Sequence, residues 1–310
     1  MNTAEIPFRE LQVCVLTFLR PEMLAEALFS LQEQRDLQKL HLHLRVLVVD
    51  NDAAQSGRDS FNAFLAQTSL NIRYVCEPSR GLSAARNRAL NESREMDLLA
   101  FLDDDEVADP HWLFHMVTAL DTHLADVVAG PVQPHYGASP AWIQRGKFFH
   151  PAQRETGDTV SHIATDNVLM RNSVFNTFQF DSRFDATGGE DTHYFLRVAR
   201  YEFRSIWARK GAVWTHIPPN RANARWLIRR AYSDASRYTK ACLALDPKAH
   251  TWVLRAIKAA GGLLSGLVLL PRFVFGREHG VYAVRLIARA AGTTSALFGR
   301  SKSYYGESHG

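Results

Sequence analysis

The sequence predicts an α/β protein: a mostly parallel central sheet flanked by helices, followed by a basic, amphipathic helical extension. Three observations carry that expectation. Short apolar runs alternate with stretches of helical periodicity through the first 130 residues, the pattern of a parallel sheet covered on both faces. Several of those runs end in polar or acidic residues, as strands do where a ligand site lies at the carboxyl edge. After Glu202 only four acidic residues remain, Asp234, Asp246, Glu278 and Glu307, among many Lys and Arg.

The elements follow in order. "LQVCVLTF" (Leu11 to Phe18) reads as a buried strand. Pro21 opens a helix in which Leu24, Leu28 and Leu31 share a face. "LHLRVLVVD" (Leu42 to Asp50) is a second strand, a helix is expected around Asp59 to Gln67, and "NIRYVCE" is a third strand. "GLSAARNRALNES" is a glycine turn entering a helix, and "DLLAFLDDD" is a fourth strand. From Val127 the order loosens. "ADVVAGPVQPHY" is a strand and a proline-broken segment, and Gly137 to Val160 a long loop or short helices. "HIATDNVLMRNSVF" is a further strand, and Phe195, Val198 and Ala199 mark a helix behind a glycine turn. "RSIWARKGAVWTHI" is expected to be a strand pair, and the arginine-rich stretch after it an amphipathic helix. The expected division is a catalytic domain over 1–235 and a helical, membrane-associating region over 236–310.

An apolar fraction of 46% and a charged fraction of 22% exclude a disordered chain. A net charge of +4 does not call for nucleic acid, and none is expected as a partner. Three cysteines, Cys14, Cys76 and Cys242, have no metal spacing and make no even disulfide set, which suits a reducing compartment. "MNTAEIPFRE" shows no basic start and apolar core, so no signal peptide is expected. Ala259 to Pro271 is uncharged and apolar but shorter than the ~20 residues of a span. With basic neighbours it suits an interfacial helix on an anionic membrane or, equally, a packed hairpin. The expected location is cytoplasmic, peripheral on the inner face of the cell membrane.

The most informative stretch is "AFLDDDEVADPHW". Asp103, Asp104 and Asp105 at a strand end raise one another's pKa unless a cation relieves them. Hard oxygen donors suit Mg²⁺ or Mn²⁺, which takes one or two carboxylates and leaves other positions to substrate phosphates. A diphosphate-bearing substrate follows. No glycine-rich loop ending in Lys-Ser or Lys-Thr is present, so a P-loop nucleotidase is disfavoured.

"VCVLTFLRPEMLAEALFSL", "VLVVDND", "EPSRGLSAARNRAL", "FLDDDE" and "GGEDTHYFLRV" stand in the order and spacing of family 2 glycosyltransferases, and from Leu11 to Arg230 the chain resembles that family. "GPVQPHYGASPAWIQRG" further resembles its succinoglycan-type exopolysaccharide glucosyltransferases. The resemblance implies a GT-A, Rossmann-like fold and inverting, metal-dependent transfer of one hexose from a nucleotide-sugar, UDP-glucose above others. The implied acceptor is lipid-linked or a growing oligosaccharide. It implies donor contacts from Thr17, Asp50, Asn51, Arg86, Asn87, Asp103 and Asp104, and metal ligands from Asp103, Asp105 and His216. It implies that the Glu190–Asp191 pair is catalytic, with Asp191 as the base. Trp142, Asp166 and Asn167 are candidate acceptor contacts, each with a purely structural alternative. The Gln-X-X-Arg-Trp signature of processive synthases is broken, because "RANARW" has Ala222 at the glutamine position. The rival readings are a nucleotidyltransferase or sugar pyrophosphorylase, and an inactive membrane-associated assembly partner.

Overall fold

The computed structural model of the chain describes residues 8–299. Most of the stretch read for a leader lies outside them. The chain forms two compact units. The first comprises Met1–Gln133, Pro151–Ser182 and Arg197–Thr215; the second comprises Pro134–His150, Arg183–Leu196 and His216–Gly310.

The first unit is built on strands β1 (Arg9–Thr17), β2 (Leu42–Asp50), β3 (Asn71–Cys76), β4 (Leu98–Asp103), β6 (Val127–Ala129), β8 (Asn167–Arg171) and β9 (Ser205–Trp207). They make one sheet in the order β3-β2-β1-β4-β8-β6-β9. Only β8 runs against its neighbours β4 and β6; every other pairing is parallel. The buried runs in β1 and β4 explain the expectation, since a parallel strand covered on both faces has no polar side. Helices α1 (Pro21–Gln32), α2 (Arg58–Leu65), α3 (Leu82–Glu92) and α4 (Trp112–Thr122) flank the sheet, and the short α6 (Asn172–Phe175) follows β8. In α1 the apolar spacing works as read: Leu24, Ala27, Leu28 and Leu31 are buried.

The expected strand pair near residue 210 is corrected. β9 pairs with β6 in the main sheet, whereas β10 (Val213–His216) lies antiparallel to β5 (Glu106–Ala108), from Val213↔Ala108 to Thr215↔Glu106. These two belong to a small second sheet of order β5-β10-β7, where β7 is Val132–His135. Both runs near residue 210 are apolar enough for a strand, but an apolar run does not specify its partner.

The second unit contains α5 (Ala141–Arg145), the start of α7 (Glu190–Arg200), and three long helices: α8 (Ala224–Leu245), α9 (Ala249–Leu269) and α10 (Arg277–Leu297). Residue 236, where the helical region was expected to begin, lies inside α8. Asn223 caps α8, its side chain accepting the Trp226 N–H at 2.9 Å. Ala222 is buried beside Trp142, Ile143, Leu227 and Val281. The position where processive synthases have glutamine is here a core position.

Candidate active site

The sheet order places β1 between β2 and β4, so the chain leaves β1 toward one side and later returns on the other. That is the reversal point at which α/β sheets bind ligands. The strand tips are level there: Thr17 is in register with Asp50, and Leu16 with Asp103.

Around the β4 tip the charges form a network. The Thr17 hydroxyl donates to Asp104 Oδ2 at 2.8 Å. Arg20 Nη1 donates to Asp104 Oδ1 at 3.1 Å and to Asp105 Oδ2 at 3.4 Å. The Asp103 N–H points to the buried Glu106 carboxylate at 3.3 Å. Burial, and then Asp105, push the Asp103 carboxyl up to about 8, with Arg86 opposing and Asp166 and Asp104 adding to the rise. Burial lifts Asp104 to about 6 against the pull of Arg20. Glu106 is driven well above the carboxylate range by burial and by Asp103, Asp166 and Asp105. Five carboxyl groups thus share one low-dielectric edge with two guanidinium groups. Among the described residues, no three His, Cys, Asp or Glu side chains form a ready-made cage for a metal ion.

Other expected donor contacts are committed to the protein. Asp50 is fully buried and accepts from Asp52 N–H (2.9 Å), Gly57 N–H (2.8 Å) and the Tyr74 hydroxyl (2.6 Å). Burial and Asp50 raise the Tyr74 phenol. A Cβ on Gly57 would stand 3.1 Å from Thr17 Cγ2 and 3.2 Å from Asp50 Oδ2, so glycine permits this close turn. Asn51 donates to Glu77 O and Ser79 O and accepts from Gly81 N–H, which ties the loop before α3 to the β2 tip. Asn87 pairs in both directions with the Phe180 backbone. These side chains shape the edge and do not reach out from it. Arg86, also buried, places its guanidinium 5.5 Å from the Phe180 ring and acts on Asp103 through charge.

Two acceptor candidates have the internal partners of their structural alternative. Asn167 is buried: it accepts from Trp112 Nε1 (2.8 Å) and donates to Pro131 O and Gly211 O. With every polar atom paired, it holds β8 to its surroundings. Asn167→Ala should therefore lower unfolding free energy by about 2–4 kcal/mol, since three buried partners lose their bonds. Urea melts check this; unchanged stability with lost transfer would restore the acceptor role. Trp142 is buried in the second unit, edge-on to Phe148 and under the Arg277 guanidinium at 4.8 Å, a packed anchor and not an open stacking platform. Asp166 stays half-buried, close enough to raise Asp103 and Glu106.

Also in the second unit, Glu190 and Asp191 occupy the first turn of α7, where the helix dipole favours carboxylates. Glu190 is buried and Asp191 half-buried; Asp191 Oδ1 accepts the Thr192 N–H at 2.6 Å. Gly188 and Gly189 precede them at φ 71° and 99°, and a Cβ on Gly188 would meet Arg237 Nε at 2.9 Å. Arg237 of α8 thus packs on the turn that presents the acid pair. His216 is exposed, its ring edge-on to His135 at 4.6 Å.

Sequence reasoning missed Arg20, Tyr74 and Arg237, and marked Glu106 only as a fourth negative charge behind the aspartates. Only Arg20 carried a signal, a cation between the Thr17 strand tip and the helix-opening Pro21.

A family model described as glycosyl transferase family 2 matches residues 12–178, more than half of the chain. The chain belongs to glycosyl transferase family 2. A full-length relative agrees: the succinoglycan biosynthesis protein ExoM of Rhizobium meliloti (strain 1021) is 31% identical over 298 residues, 93% of each chain. The hyaluronan synthase of Pasteurella multocida is 25% identical over 62% of this chain and 23% of its own length. Among solved structures, the Pyrobaculum calidifontis mannosyltransferase PcManGT, in complex with GDP-Man and Mn²⁺, superposes with a TM-score of 0.64 at 16% identity, over 95% of this chain and 88% of that one. S. aureus TarS 1–349 in complex with UDP gives 0.52 at 14% identity, over 96% and 93%. At those identities they establish the fold, which is GT-A-like. The protein is a family 2 glycosyltransferase.

Proposed function

We propose that this glycosyltransferase moves one glucose from UDP-glucose, with inversion, to a lipid-linked or growing saccharide in surface polysaccharide synthesis at the inner face of the cell membrane. The observation that carries the reading is the level row of Thr17, Asp50 and Asp103 at the reversal point, with the Asp103–Asp105 carboxyls crowded beside it. Similarity to ExoM supports the saccharide class, and the UDP complex of TarS supports the nucleotide.

The crowded carboxyls fit a divalent cation that arrives with the donor and needs few protein ligands, because their mutual repulsion falls when a cation is bound. Asp103 and Asp105 would hold it, with His216 as a further candidate. Mg²⁺ or Mn²⁺ there supplies Lewis-acid stabilisation of the departing diphosphate. Thr17 and Arg20 fix Asp104 in the same row, and Arg86 adds positive charge for the donor. Asp191 accepts the proton of the acceptor hydroxyl as its oxygen bonds to the anomeric carbon. The bond from that carbon to the diphosphate breaks on the opposite side, and the nucleoside diphosphate leaves with the electron pair. Glu190 is buried beside Asp191. With Ala222 in the core and no glutamine beside Arg225 and Trp226, addition of a single sugar is favoured over polymerisation.

The test is release of UDP from UDP-glucose with and without Mg²⁺ or Mn²⁺, alongside GDP- and TDP-sugars. Metal-dependent UDP release supports the proposal. Pyrophosphate release would point to a pyrophosphorylase, and no turnover of any donor to an inactive assembly partner.

A further inference from the structure

The second unit ends in three long helices, α8, α9 and α10. α10 packs against both α8 and α9, so it lies under α9. Toward α10, α9 turns small residues. Ala259 is buried, a Cβ on Gly262 would sit 3.9 Å from Ala290 Cβ, and a Cβ on Gly266 would be 2.6 Å from Ile287 Cγ1 and 2.9 Å from Ala283 O. Only glycine at 266 allows the two backbones to approach this closely. Small-residue packing of this kind joins helices without burying their large side chains.

The large side chains are left outside. Val253, Ile257, Leu264 and Val268 are 48–76% exposed and recur on one face of α9. A 3-10 segment, Leu270–Phe275, continues the patch with Phe273, Val274 and Phe275, each more than 60% exposed. No acidic residue occurs from Ala249 to Phe275; the charged residues are Arg255, Lys258 and Arg272. Arg255 turns inward over the Tyr238 ring at 4.5 Å, so Lys258 and Arg272 flank the stripe.

We infer that α9 and the following 3-10 segment lie flat in an anionic membrane surface, with the stripe among the acyl chains and Lys258 and Arg272 among the headgroups. The inference rests on the lipid-linked acceptor proposed above and adds the segment and its orientation. A patch this continuous exceeds what a soluble monomer leaves open, and its charge complements anionic lipid. The helical stretch Ala249–Phe275, at 27 residues and almost wholly unburied, is long and apolar enough to cross a membrane by length and composition. That corrects the sequence estimate, which stopped at Pro271. Crossing is disfavoured because α10, packed along α9, carries Arg285 and Arg289 mid-helix and would have to enter the bilayer with it. A second copy is disfavoured because the stripe has cationic flanks and no acid to meet them.

The test uses the full chain and vesicles of phosphatidylcholine alone or with one-third phosphatidylglycerol. Flotation should require the anionic lipid and weaken roughly tenfold at high salt or in Leu264→Glu/Val268→Glu. Release of UDP from UDP-glucose in solution should be unchanged by that variant. Fluorophores placed singly through Val253→Cys, Leu264→Cys and Phe275→Cys, with Cys76 and Cys242 made serine, should be quenched by brominated lipids at one shallow depth. Depths progressing across the bilayer would establish a span and overturn the inference. So would no flotation, a dimer broken by the double glutamate, or a double glutamate that floats like the parent. Flotation without UDP release would sink the proposed reaction and leave this inference standing; UDP release without flotation would do the reverse.

Discussion

Asp191→Asn should bind UDP as the parent does and transfer almost no sugar. The loss in kcat should be about 10²–10⁴-fold, the usual share of a positioned general base. The replacement is isosteric, and an asparagine Oδ1 can still accept the Thr192 N–H that Asp191 accepts at 2.6 Å. The turn of Gly188 and Gly189 against Arg237 is untouched, so the position of the side chain should hold. What changes is the capacity to take a proton. Calorimetric titration with UDP and metal should give a Kd within about twofold of the parent, so the loss should appear in kcat and not in donor binding. Lost UDP binding would reassign Asp191 to the donor, and near-normal turnover would end its candidacy as base. Glu190→Gln is the companion: because Glu190 is buried, its effect should appear in thermal stability.

Much of this was legible because parallel strands buried on both faces are unbroken apolar runs, and their ends are marked where polarity returns. Thr17, Asp50 and Asp103 were located that way, and their register follows from the sheet. The same signal has no direction in it. Nothing in "NVLMR" tells that β8 runs antiparallel, or that β10 leaves the main sheet for β5. Nor does a polar residue at a strand tip reveal which way it faces. Asp50, an expected donor contact, and Asn167, a candidate acceptor contact with a structural alternative, both have inward partners, Asp50 the Tyr74 hydroxyl from 24 residues away. Arg20 meets Asp104 across 84 residues, a proximity that no local pattern encodes. α9 was underestimated for a related reason. Lys258 and Arg272 were taken as the ends of an apolar segment, whereas helical continuity carries the exposed stripe past both.

Asp103→Asn should weaken metal-dependent donor binding at least tenfold and, in the metal-free protein, make the fold more stable at neutral and alkaline pH. The two effects have one cause. Asp103 is lifted from an ordinary value near 3.8 to about 8 by burial and by Asp105, with Arg86 only partly offsetting them. A carboxyl raised in the folded state keeps a proton that the unfolded chain has already released. Between those two values the folded protein binds more protons, so rising pH favours unfolding. The stability that Asp103 costs is absent below pH 4, grows through the window and is complete above pH 8. Asparagine has no such titration. The difference in unfolding free energy between variant and parent should open from near zero at pH 4 to about 1–3 kcal/mol at pH 8.5, a figure reduced from the full shift because water reaches the half-buried side chain. Adding Mg²⁺ or Mn²⁺ with UDP should stabilise the parent and close most of that gap, while the Asp103→Asn variant gains little. Asp105→Ala should act in the same directions, since Asp105 is the largest charge raising Asp103. Urea melts across pH, with and without metal and UDP, decide the matter. If the variant is no more stable than its parent at pH 8.5, the crowding is not a stored cost. If it binds donor and metal like its parent, the carboxyl row is not the metal site, even if the family assignment holds.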